Sequence, residues 1–304
     1  MRKLQKNLLS ASAGVHPRLI FVLLLLPFMV GCPRKPELPP LPPPPTKAEA
    51  LARYNDNISR VVPFRYAIFT WEAKFPDKKH EDKYVTVTDR GDSLFFAPAD
   101  PNDPNSRAQM LLWARVIMGE SQALIVGSNQ TEFWMYSRVA DRGWWGRYEN
   151  LGKPCMQPFP LGDPQVLLDH FGLRSIPVAQ IGMENIEFAV HKKQYLLAYP
   201  TRLPRGEVLR RELYFDQRTG ELAEAITREA SGRVLMRSTL GKYQQLGAAR
   251  IPGNIRLESP EGSYLSLELW KLRAWKLDAS KFVRPEEIPG IPPADYVQLD
   301  GVCE

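Results

Sequence analysis

The sequence predicts a mainly β (α+β) fold, one long antiparallel sheet of about eleven strands with a helix in front and another in the middle. Three observations predict it. Aromatic and β-branched stretches recur with turn signals roughly every eight to twelve residues. Only two segments combine a helix start signal with apolar residues at helical spacing. The composition, 44% apolar and 24% charged over 304 residues, is that of a chain that buries a core. It excludes a wholly disordered chain, and three cysteines exclude a disulfide-framework scaffold.

The first elements concern address rather than fold. Arg2, Lys3, Lys6 and Arg18 precede an uncharged run, Leu19 to Val30, that ends at Gly31-Cys32. A basic region, a short apolar region and a small residue before the cut make a secretory signal. As a helix the run rises about 18 Å, too short for a hydrocarbon core of about 30 Å. These residues hold four of the 40 Lys and Arg and none of the 34 acids, so the formal +6 falls to +2 once they are removed. Residues Pro33 to Pro45 (PRKPELPPLPPPP) contain eight prolines. Such a run adopts polyproline II, semi-rigid at about 3.1 Å per residue, and serves as a spacer or a Pro-rich ligand.

Thr46-Lys47-Ala48-Glu49 has the capping-box form and opens a helix to about Ser59, with Ala50, Leu51, Tyr54 and Ile58 on one face. Strands are predicted at Phe64 to Phe75, Tyr84 to Thr88 and Ser93 to Ala97, the last two joined by an Arg90-Gly91-Asp92 turn. Met110 to Met118, read as strand over helix, Ala123 to Val126 and Glu132 to Arg138 follow. Asp163-Pro164 starts the central helix and Gly172 closes it. A second strand series begins near Ile186: Val208 to Phe215, Glu221 to Arg228, Val234 to Leu240, Ile255 to Glu258 and Tyr264 to Leu272. Asp216 to Gly220 is a hairpin loop with Gly220 left-handed, and the tail after Pro285 reads as a loose strap.

No nucleophile elbow, phosphate loop or zinc-protease motif is present, so no catalytic residue, cofactor or metal ligand is assigned. His80, His170 and His191 are scattered, and His170 reads as a packed core histidine. Glu184, Glu187 and Glu212 receive no acid–base role. Lys78-Lys79, Lys192-Lys193 and Arg210-Arg211 are short basic runs that suit solvated strand faces, not nucleic acid. Cys155 and Cys303 form an even pair that a disulfide would use to strap the tail to the body. Phe64, Phe69, Trp71, Phe95, Trp113, Phe133, Trp134, Trp144 and Trp145 crowd the first half of the body. They fit either a large β core or an apolar cavity for a hydrophobic ligand.

Met29-Val30-Gly31-Cys32 resembles the bacterial lipobox. That resemblance implies cleavage before Cys32, diacylglycerol on its thiol and a lipid anchor in the cell envelope. Pro33 in place of Asp leans towards the outer membrane, facing the periplasm. The order of elements, with Asn129 to Tyr136 (NQTEFWMY), Phe159-Pro160 leading towards Leu167, and Arg211 to Glu224 (RELYFDQRTGELAE), is similar to the LolA and LolB lipoprotein-carrier family. Its fold is an incomplete antiparallel β-barrel plugged by an N-terminal helix and a central helical insertion. The resemblance implies a non-enzymatic binder of lipid or lipoprotein acyl chains, serving lipoprotein transfer or outer-membrane biogenesis. The other reading is an assembly lipoprotein that docks an envelope protein on its sheet. The expected organisation is a signal peptide over 1–31, acylated Cys32 and stalk over 32–45, a half-barrel over 46–283 and a tail over 284–304.

Overall fold

The computed structural model describes residues 39–304 except 78, 79, 101, 104, 116–121, 138–141, 154, 156–163, 204, 205, 287–295, 302 and 304. The signal segment, Cys32, the start of the proline run, Lys78-Lys79, Phe159-Pro160 and Asp163 therefore lie outside the described residues. Among the described residues no helix is long and apolar enough to cross a membrane.

Helix α1 spans Lys47–Ser59 and starts as its sequence demands. The Thr46 side chain accepts from the Glu49 N–H while Glu49 accepts from the Thr46 N–H, a complete capping box. Six strands follow: β1 (Phe64–Asp77), β2 (His80–Ala97), β3 (Gln109–Arg115), β4 (Gln122–Ser128), β5 (Glu132–Ser137) and β6 (Arg142–Arg147). The helical insertion comprises α2 (Pro164–His170) and one turn of α3 (Val178–Ile181). The second series is β7 (Glu187–His191), β8 (Gln194–Arg202), β9 (Val208–Asp216), β10 (Leu222–Glu229), β11 (Val234–Gly241), β14 (Asn254–Glu258) and β15 (Tyr264–Ala274). A small hairpin, β12 (Gln244–Leu246) with β13 (Ala249–Ile251), interrupts it, and β16 (Tyr296–Gln298) ends the chain.

The fold is mainly β, an incomplete barrel made from one 14-stranded sheet in the order β16-β6-β5-β4-β3-β2-β1-β15-β14-β11-β10-β9-β8-β7. Two antiparallel meanders meet where β1 pairs with β15, Phe64 opposite Ala274 and Trp71 opposite Leu267. The sheet exceeds the expected eleven or so strands because β8 joins the second series and β6 and β16 extend the sheet at one edge. β6 carries Gly143-Trp144-Trp145-Gly146, which lacks the polar–apolar alternation that marks a strand. β16 is three residues long and pairs in parallel with β6, a long-range contact with no local signal.

The expected Arg90-Gly91-Asp92 turn is absent: β2 runs unbroken from His80 to Ala97. Gly91 lies opposite Phe69 on β1, and the Phe69 ring occupies the space a Cβ would need, 1.7 Å from its Cζ. The glycine is there to admit a ring, not to turn the chain. Gly127 on β4 serves Trp134 in the same way.

The two faces of the sheet are covered differently. One face packs against α1, α2 and the small hairpin and holds most of the core. On the first meander's other face, a smaller aromatic cluster lies under the C-terminal segment. Trp275 packs against Phe95 with ring centroids 5.0 Å apart, Asn129 Nδ2 donates to the Phe282 carbonyl, Tyr136 Oη donates to that of Pro285, and Arg284 sits 4.0 Å over the Trp145 ring. The chain is thus packed up to Pro285, and of the tail that follows, the described Tyr296–Gln298 pairs as a strand with β6. Cys155 and Cys303 are joined, Cα to Cα 5.3 Å, close to where Asp300 accepts from the Arg147 N–H and Asn150 Nδ2. At the other end of the domain the proline run does not stay free throughout: Pro45 is buried and Gln217 Nε2 donates to the Pro42 carbonyl at 2.7 Å.

Gly91→Ala forces a methyl group into the Phe69 ring, which is wholly buried. Overpacking of this kind costs about 1–3 kcal/mol. Urea unfolding should show a midpoint lowered accordingly, and Gly91→Ala combined with Phe69→Leu should regain part of the loss.

Candidate functional site

The nine aromatic residues singled out from sequence do not share one surface. Strand alternation sends Phe64, Phe69, Trp71 and Phe133 into the helix-covered core, where each is at most 1% exposed, with Trp144 packed against them. Trp134 and the partly buried Phe95, Trp113 and Trp145 belong to the strap-covered face. Neighbours in sequence, Phe95 and Phe96 or Trp144 and Trp145, thus serve opposite sides.

What the structure does bring together is a polar cluster between the two apolar clusters of the helix-covered face. Across β8, β9, β10 and β11 the register aligns Tyr199, Arg211, Thr227 and Met236 in one row. Helix α2 lies on this row. Its Pro164 takes the first helical position and Gly172, at φ +66°, ends it, with the Leu173 N–H returning to the Leu168 carbonyl. The apolar face expected of Val166, Leu167, His170 and Phe171 is buried, and Asp169 is buried with them.

Arg211 is 2% exposed and donates from Nη2 to Asp169 Oδ2 at 2.6 Å. Its Nη1 donates to Thr227 Oγ1 and lies 3.2 Å from His170 Nε2. Thr227 Oγ1 is 2.7 Å from the same nitrogen, and Ser238 Oγ is 3.1 Å from His170 Nδ1. Because a guanidinium only donates, Nε2 accepts, which puts the imidazole proton on Nδ1 and aims it at Ser238. Burial, and then the Arg211 charge, hold the His170 pKa well below its ordinary value, so the ring is neutral. His170 is therefore a latch residue between helix and sheet, and sequence reading as a packed histidine missed the partners. Arg211 looked like half of a solvated basic pair. Strand alternation instead splits the pair: Arg210 faces the opposite side, bidentate to Glu187 at 2.6 and 2.7 Å and bonded to Glu212, which also takes Arg228. Glu187 is held below the usual carboxylate range by Arg210. Glu184 sits apart, in the turn after α3.

Beside the latch a cavity of about 370 Å³ opens between the insertion and strands β8 and β9. Asp169, Arg174, Gln180, Tyr199, Thr201 and Arg202 are the polar residues of its lining, and Pro177, Ile181 and Val208 form part of its apolar wall. Burial raises the Tyr199 pKa, so its hydroxyl stays protonated. Helix α1 holds the segment lining this cavity by its backbone. Tyr54 Oη donates to the Arg174 carbonyl at 2.9 Å, Asn55 pairs with both backbone groups of Ile176, and Lys47 Nζ donates to the Met183 and Ile186 carbonyls. Among the described residues no group of three or more His, Cys, Asp or Glu is placed to hold a metal ion. His191 is exposed at the end of β7, and Lys192-Lys193 form the exposed turn that follows.

Two outcomes check the latch. Arg211→Met leaves Asp169 buried without its closest partner, a loss of about 3–5 kcal/mol in urea unfolding, and Asp169→Leu in the same chain should restore most of it. The depressed His170 pKa also makes stability depend on pH: its contribution is complete above the unfolded value of about 6.5 and is lost as pH falls below it. The urea midpoint should drop between pH 7.5 and 5 more steeply for the parent chain than for His170→Gln.

No family model and no curated protein matches the chain. Among solved structures it is similar to the LolA superfamily protein NE2245 of Nitrosomonas europaea, with a TM-score of 0.46 and 12% identity over 79% of this chain and 98% of that one. It is also similar to a Vibrio parahaemolyticus domain assigned to outer membrane lipoprotein sorting, with a TM-score of 0.42 and 13% identity over 78% and 94% of the two chains. A DUF1329 family protein of Desulfovibrio piger has a TM-score of 0.42 and 12% identity over 78% and 96%.

Proposed function

We propose that this chain is a lipid-anchored, periplasm-facing binding protein of a bacterial envelope, and that its half-barrel accepts an acyl chain of a lipid or lipoprotein without catalysis. Residues 1–31 direct export, Cys32 carries the anchor, and residues 32–45 hold the body off the outer membrane. Residues 46–283 bind the ligand, and residues 284–304 strap the sheet. Transfer of lipoproteins or outer-membrane biogenesis is the setting in which such a protein works.

One observation supports this reading above the others. The helix-covered face of a 14-stranded sheet is closed by one three-turn helix and a short insertion, which is held by the Arg211 and His170 contacts and by the buried Leu167, Leu168 and Phe171. Beneath it lies the aromatic surface of Phe64, Phe69, Trp71 and Phe133. Apolar surface of this kind accepts an acyl chain at about 0.8 kcal/mol per CH₂ when the cover moves aside. The second reading, a protein partner added to the sheet, is favoured by the free edge at β7, where Val190 is exposed.

Native mass spectrometry of protein purified without detergent should show co-purifying lipid, and a fluorescent fatty-acid probe should bind the delipidated chain. A clean apo mass together with no probe binding overturns the acyl-chain reading. Cys32→Ser should move the protein from the membrane to the soluble fraction, and its retention in the membrane would overturn the anchor.

A further inference from the structure

The outward side of the β1–β15 seam is built unlike the rest of the sheet. Phe64, Tyr66, Phe69, Leu269 and Leu272 belong to the helix-covered core, so strand alternation turns Arg65, Ile68, Trp270 and Arg273 to the other side. There Arg65 and Arg273 are direct cross-strand partners, and Trp270 lies opposite Ile68. Two like charges placed opposite each other destabilise a strand pair. Neither arginine has a carboxylate partner among the described residues, and neither do Lys271, Lys276 and Lys281. On the second meander, by contrast, the same side of the sheet pairs Arg210, Arg228 and Arg237 with glutamates. The one acid of residues 270–283, Asp278, is taken by the N–H and hydroxyl of Ser280.

Apolar groups are exposed among these cations. Of the seven large hydrophobic residues exposed in the described chain, four lie here: Val62 at 45%, Trp270 at 39%, Leu277 at 49% and Val283 at 63%. Val62 joins them because the Trp275 N–H donates to the Pro63 carbonyl at 2.8 Å, which continues the β1–β15 pairing and sets Val62 beside Lys276. The segment is held in place from beneath, since Trp275 packs on Phe95 and on Phe282.

A face left to water alone would pair these cations or omit the apolar groups. A protein interface uses Trp and Arg but is depleted of Lys. Exposed Trp and aliphatic side chains among Lys and Arg suit an anionic bilayer. There Trp sits at head-group level, aliphatic groups reach the acyl boundary and cations neutralise phosphates.

We propose that the outward side of this seam, together with residues 275–283, rests on a lipid surface rich in anionic head groups. Arg65, Lys271, Arg273, Lys276 and Lys281 face the lipid phosphates, and Val62, Trp270, Leu277 and Val283 enter the head-group layer. This contact is separate from the half-barrel interior and stands without acyl-chain binding. Together with an anchor at Cys32 it sets the orientation in which the body meets the membrane. Alone it gives reversible, salt-sensitive attachment, so a salt wash still releases Cys32→Ser from cell membranes.

The test is flotation of the Cys32→Ser chain with vesicles of phosphatidylcholine, alone or with about one-third phosphatidylglycerol, at about 0.1 M and about 0.5 M NaCl. The anionic vesicles should bind about tenfold more tightly than the neutral ones at low salt, and the difference should shrink at high salt. Arg273→Glu, at an exposed position, turns a like-charged cross-strand pair into an opposite one. It should weaken binding to anionic vesicles about tenfold while the urea midpoint holds or rises, whereas a merely structural role would move both together. Trp270→Ser with Leu277→Ser should weaken binding and leave its salt dependence in place. Residues 1–31 are common to all these chains, so differences between them belong to the seam. Equal affinity for neutral and anionic vesicles overturns the proposal, as does binding that Arg273→Glu leaves unchanged. No binding by the parent chain also overturns it and leaves the acyl-chain and anchor readings to their own tests. An envelope protein crosslinked in cells and lost with Arg273→Glu, without vesicle binding, assigns the surface to a protein and overturns the lipid contact.

Discussion

An arginine buried in a β core is tolerable only with a partner, and here that partner belongs to a different element. Arg211 comes from β9 and Asp169 from α2, so the charge balance of the core exists only while the insertion lies on the sheet. His170, Thr227 and Ser238 extend the same dependence to β10 and β11. Such a pair contributes little net stability over well-packed apolar side chains, but it fixes where the helix docks. The two apolar clusters on that face meet at this point, and the position of the wall of the adjacent cavity is set by it.

The same sheet solves two different surface problems with its outward side. Over β7 to β11 that side carries a ladder of Glu187, Arg210, Glu212 and Arg228, with Arg237 paired to Glu224. Over β2 to β6 it is aromatic, and the chain covers it with its own C-terminal segment, ending in a parallel strand on β6. One half is therefore left to water by charge, the other by a strap. The short basic runs of the sequence dissolve into these arrangements, and net charge says nothing of a partner.

Legibility in the sequence followed the range of the interactions. Thr46 with Glu49, Pro164, Gly172 and the Asp216 to Gly220 loop act through backbone groups within a few residues, and each does what its type predicts; Gly220 sits at φ +73° with Asp216 Oδ1 accepting from the next two N–H groups but one. Gly91 misled because its partner is a ring on the neighbouring strand, and a glycine beside Arg and Asp looks the same in sequence whether it turns the chain or admits Phe69. β6 and β16 were hidden by glycines and by brevity. The latch was invisible for a stronger reason: Asp169 and Arg211 have no local signal linking them, and only the register of β8 to β11 beneath α2 brings them into contact. Aromatic content marked the core correctly in kind but gave no means of sorting residues between faces, since that needs the strand phase.

The pairing of β1 with β15 has a kinetic consequence. Each meander is built from hairpins between neighbours in sequence, which close over short loops and form early. The seam between the meanders joins nearly the whole length of the body, Phe64 to Ala274, and must wait for the slowest loop closure in the chain. Until then β1 and β15, two of the longer strands, present bare hydrogen-bonding rows on both half-sheets, which are templates for the wrong neighbour. The finished sheet hides this liability at its centre, so the moment of greatest exposure to aggregation belongs to folding and not to the native state.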